Sequence, residues 1–241
     1  AQRRIVWNEV DRVFHPGQRV LEINCGTGID ALHLAKRGVH VDACDSAPGM
    51  IARAKQRADS HSLRSLARFR CVPTEEIDQL VSEGPFDGVF SNFAGLDCVS
   101  DLERVAQNLA GLVRGGGRAV LCVFGSFCLW ETAWYLSAGN SRKAFRRLRR
   151  GGVEATLAPD ATVTVYYRRI RSLKKVFAPY FRLERWRGVG VVVPPSYAES
   201  LAVKFPRLFR FAAAMDPVLG RCPVVRCLAD HALLTFERIG A

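Results

Sequence analysis

An α/β fold built on a mostly parallel sheet is what this sequence predicts, and three observations predict it. From residue 18 to about 125, apolar runs of strand length alternate with stretches whose apolar residues recur at helical spacing. The first of those runs, Val20-Leu21-Glu22-Ile23, stops abruptly in a glycine turn, Asn24-Cys25-Gly26-Thr27-Gly28. The chain has 241 residues, 49% of them hydrophobic, enough to bury a full core on both faces of such a sheet.

The elements follow in order. Residues 2–14 place Ile5, Val6, Val10 and Val13 on one helical face, and His15-Pro16-Gly17 ends that helix. Strand one spans 18–24. Gly26 and Gly28 lack a Cβ, so the chain can turn sharply there and let a ligand come close. The helix at 29–37 then presents its N-terminus, with free N–H groups, at the C-terminal edge of the sheet, where α/β folds bind nucleotides or nucleosides. Strand two is 39–45 and a helix covers 47–58, with Ser46 as N-cap and Pro48 in its first turn. Strand three is 66–72, and Thr74-Glu75-Glu76 reads as a helix start. Gly84-Pro85 is a turn and strand four is 86–90, ending at Ser91-Asn92-Phe93-Ala94-Gly95. Ser100 caps a helix that Gly115-Gly116-Gly117 ends, and strand five is 118–124.

Alternation breaks after strand five. Residues 127–138 form an aromatic-rich helix, and Ser141 caps a basic one whose polar face carries Arg142, Lys143, Arg146, Arg147, Arg149 and Arg150. Residues 153–157 and 162–168 read as a hairpin joined by Pro159-Asp160, followed by a helix with Arg171, Lys174 and Lys175. Strand six is 181–193. Pro194-Pro195 breaks the chain, 196–220 is helical with Leu201, Phe205, Leu208, Phe209, Phe211 and Ala212 making an apolar surface, and 231–239 is the last strand.

The glycine turn alone also fits a loose dinucleotide fingerprint, Gly26-Thr27-Gly28-Ile29-Asp30-Ala31, which keeps an NAD(P)-dependent oxidoreductase open. Two acids point elsewhere. Glu22, inside the strand end, would repel a pyrophosphate but suits a cationic amino-acid ligand, and Asp45, ending strand two, can accept both hydroxyls of a ribose.

An acid followed by x-G-x-G-x-G is the first motif of the class I S-adenosylmethionine-dependent methyltransferases, and Glu22-Ile23-Asn24-Cys25-Gly26-Thr27-Gly28 resembles it, with Asn24 in place of the first glycine. Asn tolerates the left-handed conformation that glycine would supply there. The resemblance covers residues 18 to about 125 and is closest to the small-molecule methyltransferases of types 11 and 25. It implies a Rossmann-like seven-stranded sheet, mostly parallel with an antiparallel last strand, helices on both faces, and S-adenosylmethionine as cofactor. The cofactor residues it implies are Glu22, Asn24, Cys25, Gly26, Thr27 and Gly28 at the turn and Asp45 and Ser46 at the ribose. Met50 either packs on the adenine or belongs to the core. Thr74, Glu75 and Glu76 lie where the family meets the adenine amino group, and Asn92 and Phe93 lie at the methyl-transfer end. The leading helix often covers the cofactor, which brings in Arg4 or Trp7.

The whole chain is expected to be one methyltransferase domain, with residues 126–180 an insertion capping the acceptor site. Trp130, Trp134, Tyr135, Arg142 and Arg146 are its candidate substrate-binding residues, and a solvated arginine face is the competing reading. Methyl transfer is mainly a matter of positioning, so no catalytic base is assigned; His231 faces either core or site, and Asp97 is a second candidate. The eight cysteines have no CxxC pair and read as reduced, mostly buried thiols, and no metal-ligand spacing occurs.

The formal charge of +12 calls for a negatively charged partner: an acidic small-molecule acceptor, an anionic membrane surface, or nucleic acid. Nucleic acid ranks last because no RNA-binding module is recognisable, and no obligate protein partner is inferred. No stretch approaches about 18 uncharged apolar residues, and no signal-peptide pattern follows Ala1, so the expected location is the cytoplasm, peripherally at the membrane if the acceptor is lipid-like.

Overall fold

The computed structural model describes residues 1–158, 161–195 and 203–240. Helix α1 (Gln2–Val13) leads into β1 (Arg19–Ile23), α2 (Ile29–Ala35), β2 (His40–Asp45), α3 (Pro48–Ser60) and β3 (Ala67–Cys71). A 3-10 run, Thr74–Glu83, precedes β4 (Phe86–Ser91), and a 3-10 turn, Gly95–Cys98, precedes α4 (Leu102–Leu112) and β5 (Val113–Phe124). Then come α5 (Leu129–Ser137), α6 (Ser141–Ala144), a 3-10 turn at Arg146–Leu148, the hairpin β6 (Val153–Ala158) and β7 (Ala161–Val165), and α7 (Ile170–Phe177). The chain closes with β8 (Phe181–Val189), α8 (Pro206–Leu219), a 3-10 turn at Val225–Leu228, and β9 (His231–Arg238).

Seven strands form one sheet in the order β3-β2-β1-β4-β5-β9-β8. Pairings among the first five are parallel; β9 runs antiparallel between β5 and β8, so it alone opposes the rest. The expected Rossmann-like sheet with an antiparallel last strand is therefore the observed one. Side chains alternate between two cores. Leu21, Ile23, Leu121, Val123, Leu234 and Phe236 face α4, α7 and the Ile77–Leu80 stretch. Val20, Val41, Val120 and Leu233 face α1, α2 and α3. Burial on both faces explains why the parallel strands read as near-continuous apolar runs.

Several boundaries differ from expectation, each for a local reason. None of the three expected serine caps is used. Asp45 Oδ1 accepts from the Ala47 N–H, and α3 starts there, not at Ser46. Asp101 caps α4 in place of Ser100. Asn140 caps α6 in place of Ser141. At α4 and α6 the neighbouring Asx side chain supplies the cap, whereas α3 has Ala47 at its N-cap position and no side-chain cap. The triple glycine does not end α4: β5 already begins at Val113, and pairing with β4 shifts register between Phe86 and Gly88 to absorb it. The sixth strand of the sheet in chain order, β8, stops at Val189, because Gly190 has φ 76 and buried Asp216 of α8 accepts from the N–H groups of Gly190, Val192 and Val193. The basic helix expected over 141–150 is broken: only Ser141–Ala144 is α-helical, and Arg146 and Arg147 turn inward. All eight cysteines are free thiols, but Cys71, Cys98, Cys222 and Cys227 are exposed, since strand and helix ends place them at the surface. The Pro159-Asp160 joint of the hairpin and Leu201 lie outside the described residues.

Candidate active site

The C-terminal ends of β1, β2 and β4 meet at the glycine turn. Gly26 has φ 53, and a Cβ built on it meets nothing, so its backbone faces open space. Gly28 has φ 73, and a Cβ there would strike Phe69 and Ala54, so glycine lets α2 pack against β3 and α3. Asn24 takes the left-handed conformation at φ 57. Its amide donates to Thr74 Oγ1 at 2.6 Å and its carbonyl oxygen accepts from Ser91 Oγ at 3.1 Å, which ties the turn after β1 to the segment after β3 and to the end of β4.

Asp45 accepts from the Gly26 N–H and the Ala47 N–H, both at 2.9 Å, one on each oxygen. Each carboxylate oxygen keeps a second lone pair, so the group is fixed in position and can still accept two hydroxyls. Glu22 is 1% exposed and its Oε2 has no hydrogen-bond partner. Burial, reinforced by the charges of Asp30 and Asp45, holds its carboxyl well above the usual carboxylate range, and Arg3 offsets only part of this. With Asp30 and Asp45 beside it, ionisation of Glu22 is favoured only by a positive charge brought close. Met50 is 41% exposed, which excludes the core reading of this residue. Ser46, Glu75 and Glu76 are exposed at the same edge. Cys25 is buried, and Thr27 accepts from Arg57 at 3.4 Å.

Asp30, which the pattern reading passed over as a fingerprint position, is the hub at the mouth. It accepts from Trp7 Nε1 at 2.7 Å and Asn92 Nδ2 at 2.9 Å and pairs with Arg3. Trp7 also stacks on His33 at 4.1 Å, so it packs on α2, and α1 closes over the turn through Arg3 and Trp7; Arg4 is exposed. Asn92 is buried and accepts from the Phe93 N–H. Phe93 and Ala94 have φ 44 and 67, a strained pair of non-glycine residues that aims Phe93 across the mouth.

Because β9 is antiparallel to β5, its first residue sits at this same edge, paired with Phe124. The His231 ring lies between Phe93, 5.2 Å away edge-on, and Phe124, stacked at 5.0 Å. Tyr167 continues the series at 5.5 Å from Phe124. His231 is nine-tenths buried with its Nδ1 3.3 Å from Asp230 Oδ2, outside hydrogen-bond geometry. Asp97, buried behind β5, accepts from the Phe124 N–H, and burial pushes its carboxyl up to about 7 despite that bond and the charges of Arg168 and Arg147.

Among the substrate candidates, Trp130 donates to the Val191 carbonyl at 3.1 Å, which anchors α5. Trp134 and Arg142 are exposed, and Tyr135 lies under Lys143 and Arg146. Arg146 is bidentate on Glu131, and the buried Arg147 bridges Glu131 to Asp230. Two of the six cations of the expected surface face are thus spent in an internal ion-pair network, which periodicity could not reveal because the acids lie far away in sequence. No group of three or more side chains that could hold a metal gathers among the described residues.

Residues 20–117 match the sequence model of a methyltransferase domain family. The tRNA 5-carboxymethoxyuridine methyltransferase of Escherichia coli K12 is 34% identical over 170 residues, 66% of this chain and 60% of that protein. The demethylmenaquinone methyltransferase of Beutenbergia cavernae is 33% identical over 109 residues, 45% of this chain and 42% of that protein. This chain therefore spans about half the length of these curated relatives. An S-adenosylmethionine-dependent methyltransferase structure from Mesorhizobium loti superposes with a TM-score of 0.61 at 15% identity, over 97% of this chain and 98% of the other, a likeness of fold.

Proposed function

We propose, from the premise that this chain belongs to the class I S-adenosylmethionine-dependent methyltransferases, that it methylates an amphiphilic acceptor lying along Phe93, His231 and Phe124. The observation that carries the reading is the orphaned Glu22 carboxylate beside the open backbone of Gly26 and the fixed Asp45. Those residues fit the cofactor: Glu22 and Asp30 would balance its positive groups, Asp45 its ribose, and the exposed Met50 its adenine. S-adenosylmethionine would supply a methyl group on a cationic sulfur, open to in-line attack by a lone pair of the acceptor. The chain's part is to align and to exclude water. The aromatic series supplies an apolar wall for the acceptor, and residues 126–180 cap it, with α5 anchored by Trp130 and the Glu131 network. The same three acids disfavour the pyrophosphate of a dinucleotide, which counts against an oxidoreductase.

Calorimetry with S-adenosylhomocysteine and NADH tests this. S-adenosylhomocysteine should bind and NADH should not, and Asp45→Ala should weaken binding by about 2–3 kcal/mol, the loss of charge-assisted hydrogen bonds. Unchanged affinity in that variant would remove Asp45 from the ribose site.

The charge and the tRNA-modifying relative support a second reading, an RNA acceptor. Filter binding to tRNA over a salt series decides it, since backbone contacts must weaken steeply with salt. Peripheral association with an anionic membrane goes with the first reading; no helix among the described residues is long and apolar enough to cross a bilayer.

A further inference from the structure

The loops that follow β4 and β5 border, with the segments 147–151 and 166–172, a half-open cavity of about 530 Å³. It lies at the same end of the sheet as the glycine turn, beyond Phe124. Five arginines line it, Arg147, Arg149, Arg150, Arg168 and Arg169, and no carboxylate does. Arg147 is neutralised by Glu131 and Asp230, although its buried Nε still lacks an acceptor. Arg168 is held by the backbone carbonyls of Leu96, Val99 and Ser100, which fix its guanidinium without cancelling its charge. Arg149, Arg150 and Arg169 have no acidic partner among the described residues. A solvated arginine face is convex and draws on one element. Here arginines from two separate segments line one concavity, together with Ser100, Ser126, Ser172, Tyr166 and Tyr167.

Arg147 also links this cavity to the acceptor wall. Its guanidinium lies over the Phe124 ring at 5.0 Å and the Tyr167 ring at 5.4 Å. A single carboxylate would leave most of the positive charge unmatched, whereas a phosphate or diphosphate ester brings two or more charges and several acceptor oxygens suited to planar guanidinium forks. A volume of this size is that of a small-molecule site.

We propose that this cavity is an oxyanion subsite that takes the phosphate or diphosphate group of the acceptor, whose reacting end lies along Phe93 and His231. It rests on the reading of that aromatic wall as the acceptor's place.

Calorimetric titration of the full chain with inorganic pyrophosphate at low salt, alongside S-adenosylhomocysteine, tests it. Wild type should bind pyrophosphate saturably. The triple variant Arg149→Gln, Arg150→Gln, Arg169→Gln, whose changed side chains are exposed, should bind it at least about tenfold more weakly with S-adenosylhomocysteine affinity unchanged. No pyrophosphate binding by wild type, or equal binding by the variant, overturns the subsite. Pyrophosphate binding without S-adenosylhomocysteine binding upholds the cavity and overturns methyl transfer. Titrating pyrophosphate in the presence of phosphatidylglycerol vesicles identifies the source: a loss of pyrophosphate affinity supports a lipid headgroup in the cavity, and an unchanged affinity supports a soluble phosphate ester.

Discussion

Glu22 and Asp97 are two buried acids whose burial pushes their carboxyls up, and their pH signatures differ. For Glu22, beside Asp30, Asp45 and Arg3, a cationic ligand favours the ionised form, so binding must expel a proton wherever the free carboxyl is still protonated. S-adenosylhomocysteine titrated in buffers of different ionisation enthalpy should therefore release a fraction of a proton, with affinity rising as pH rises below the raised value. Glu22→Gln should abolish that release; release unchanged in the variant would assign the proton to another group. Asp97 bears on stability instead. Its ordinary value is 3.8 and it is raised to about 7 in the fold. Between these the native state binds more protons than the unfolded chain, so stability is fully present at acid pH and declines as pH rises toward about 7, by roughly 4 kcal/mol in total. Asp97→Asn keeps an acceptor for the Phe124 N–H and carries no charge. In denaturant melts it should gain about 3 kcal/mol on wild type between pH 5 and pH 8. A gap that does not change with pH would show that Asp97 is not the group responsible.

At the level of elements, the sheet was legible in the sequence and the segment after β5 was not. Parallel strands buried on both faces write themselves as apolar runs, and the acid-plus-glycine turn marks the end of the sheet that carries the proposed site. Asn24 took its left-handed place as its residue type allows. What could not be read was pairing between distant residues. The arginine-rich stretch has the composition of a solvated helix, yet Glu131 from α5 and Asp230 before β9 draw Arg146 and Arg147 inward and break it. Asp30 was hidden likewise, because its donors come from α1 and from Asn92. The Arg147 network holds α5, the Arg146–Leu148 turn and the start of β9 together. Removing Arg147 leaves Asp230 buried without its arginine and Glu131 with Arg146 alone, so Arg147→Ala should cost about 3–5 kcal/mol in chemical denaturation. The triple variant Glu131→Gln, Arg147→Met, Asp230→Asn, which removes the charges of this bridge together and leaves only the partly exposed Arg146 unpaired, should recover much of that loss. If Arg147→Ala loses less than about 1 kcal/mol, the network is not what fixes these elements.

Across the whole molecule, the net charge of +12 and the apolar surface converge on α8. Leu208 and Phe211 are each 65% exposed and Val218 is 60% exposed, along one side of that helix. Lys204, Arg207 and Arg210 are exposed beside them, and Asp216, the one acid of the helix, is fully buried on the Gly190–Val193 loop. Exposed large apolar residues interleaved with cations are what a helix lying in an anionic bilayer surface needs. The basic stretch 141–150 serves this less well than its sequence suggested, since two of its six cations are engaged internally. Three cations near an anionic surface contribute about 1 kcal/mol each, whereas burying Leu208 and Phe211 contributes about 1.5–3 kcal/mol each, so the apolar pair should dominate. In sedimentation with phosphatidylglycerol vesicles, wild type should bind, and Leu208→Glu with Phe211→Glu should abolish binding while leaving S-adenosylhomocysteine affinity intact. Raising salt should weaken wild-type binding without eliminating it, because only the cationic part is screened. Wild type that ignores these vesicles at low salt would remove the membrane from the proposed function and leave the acceptor to be delivered from solution.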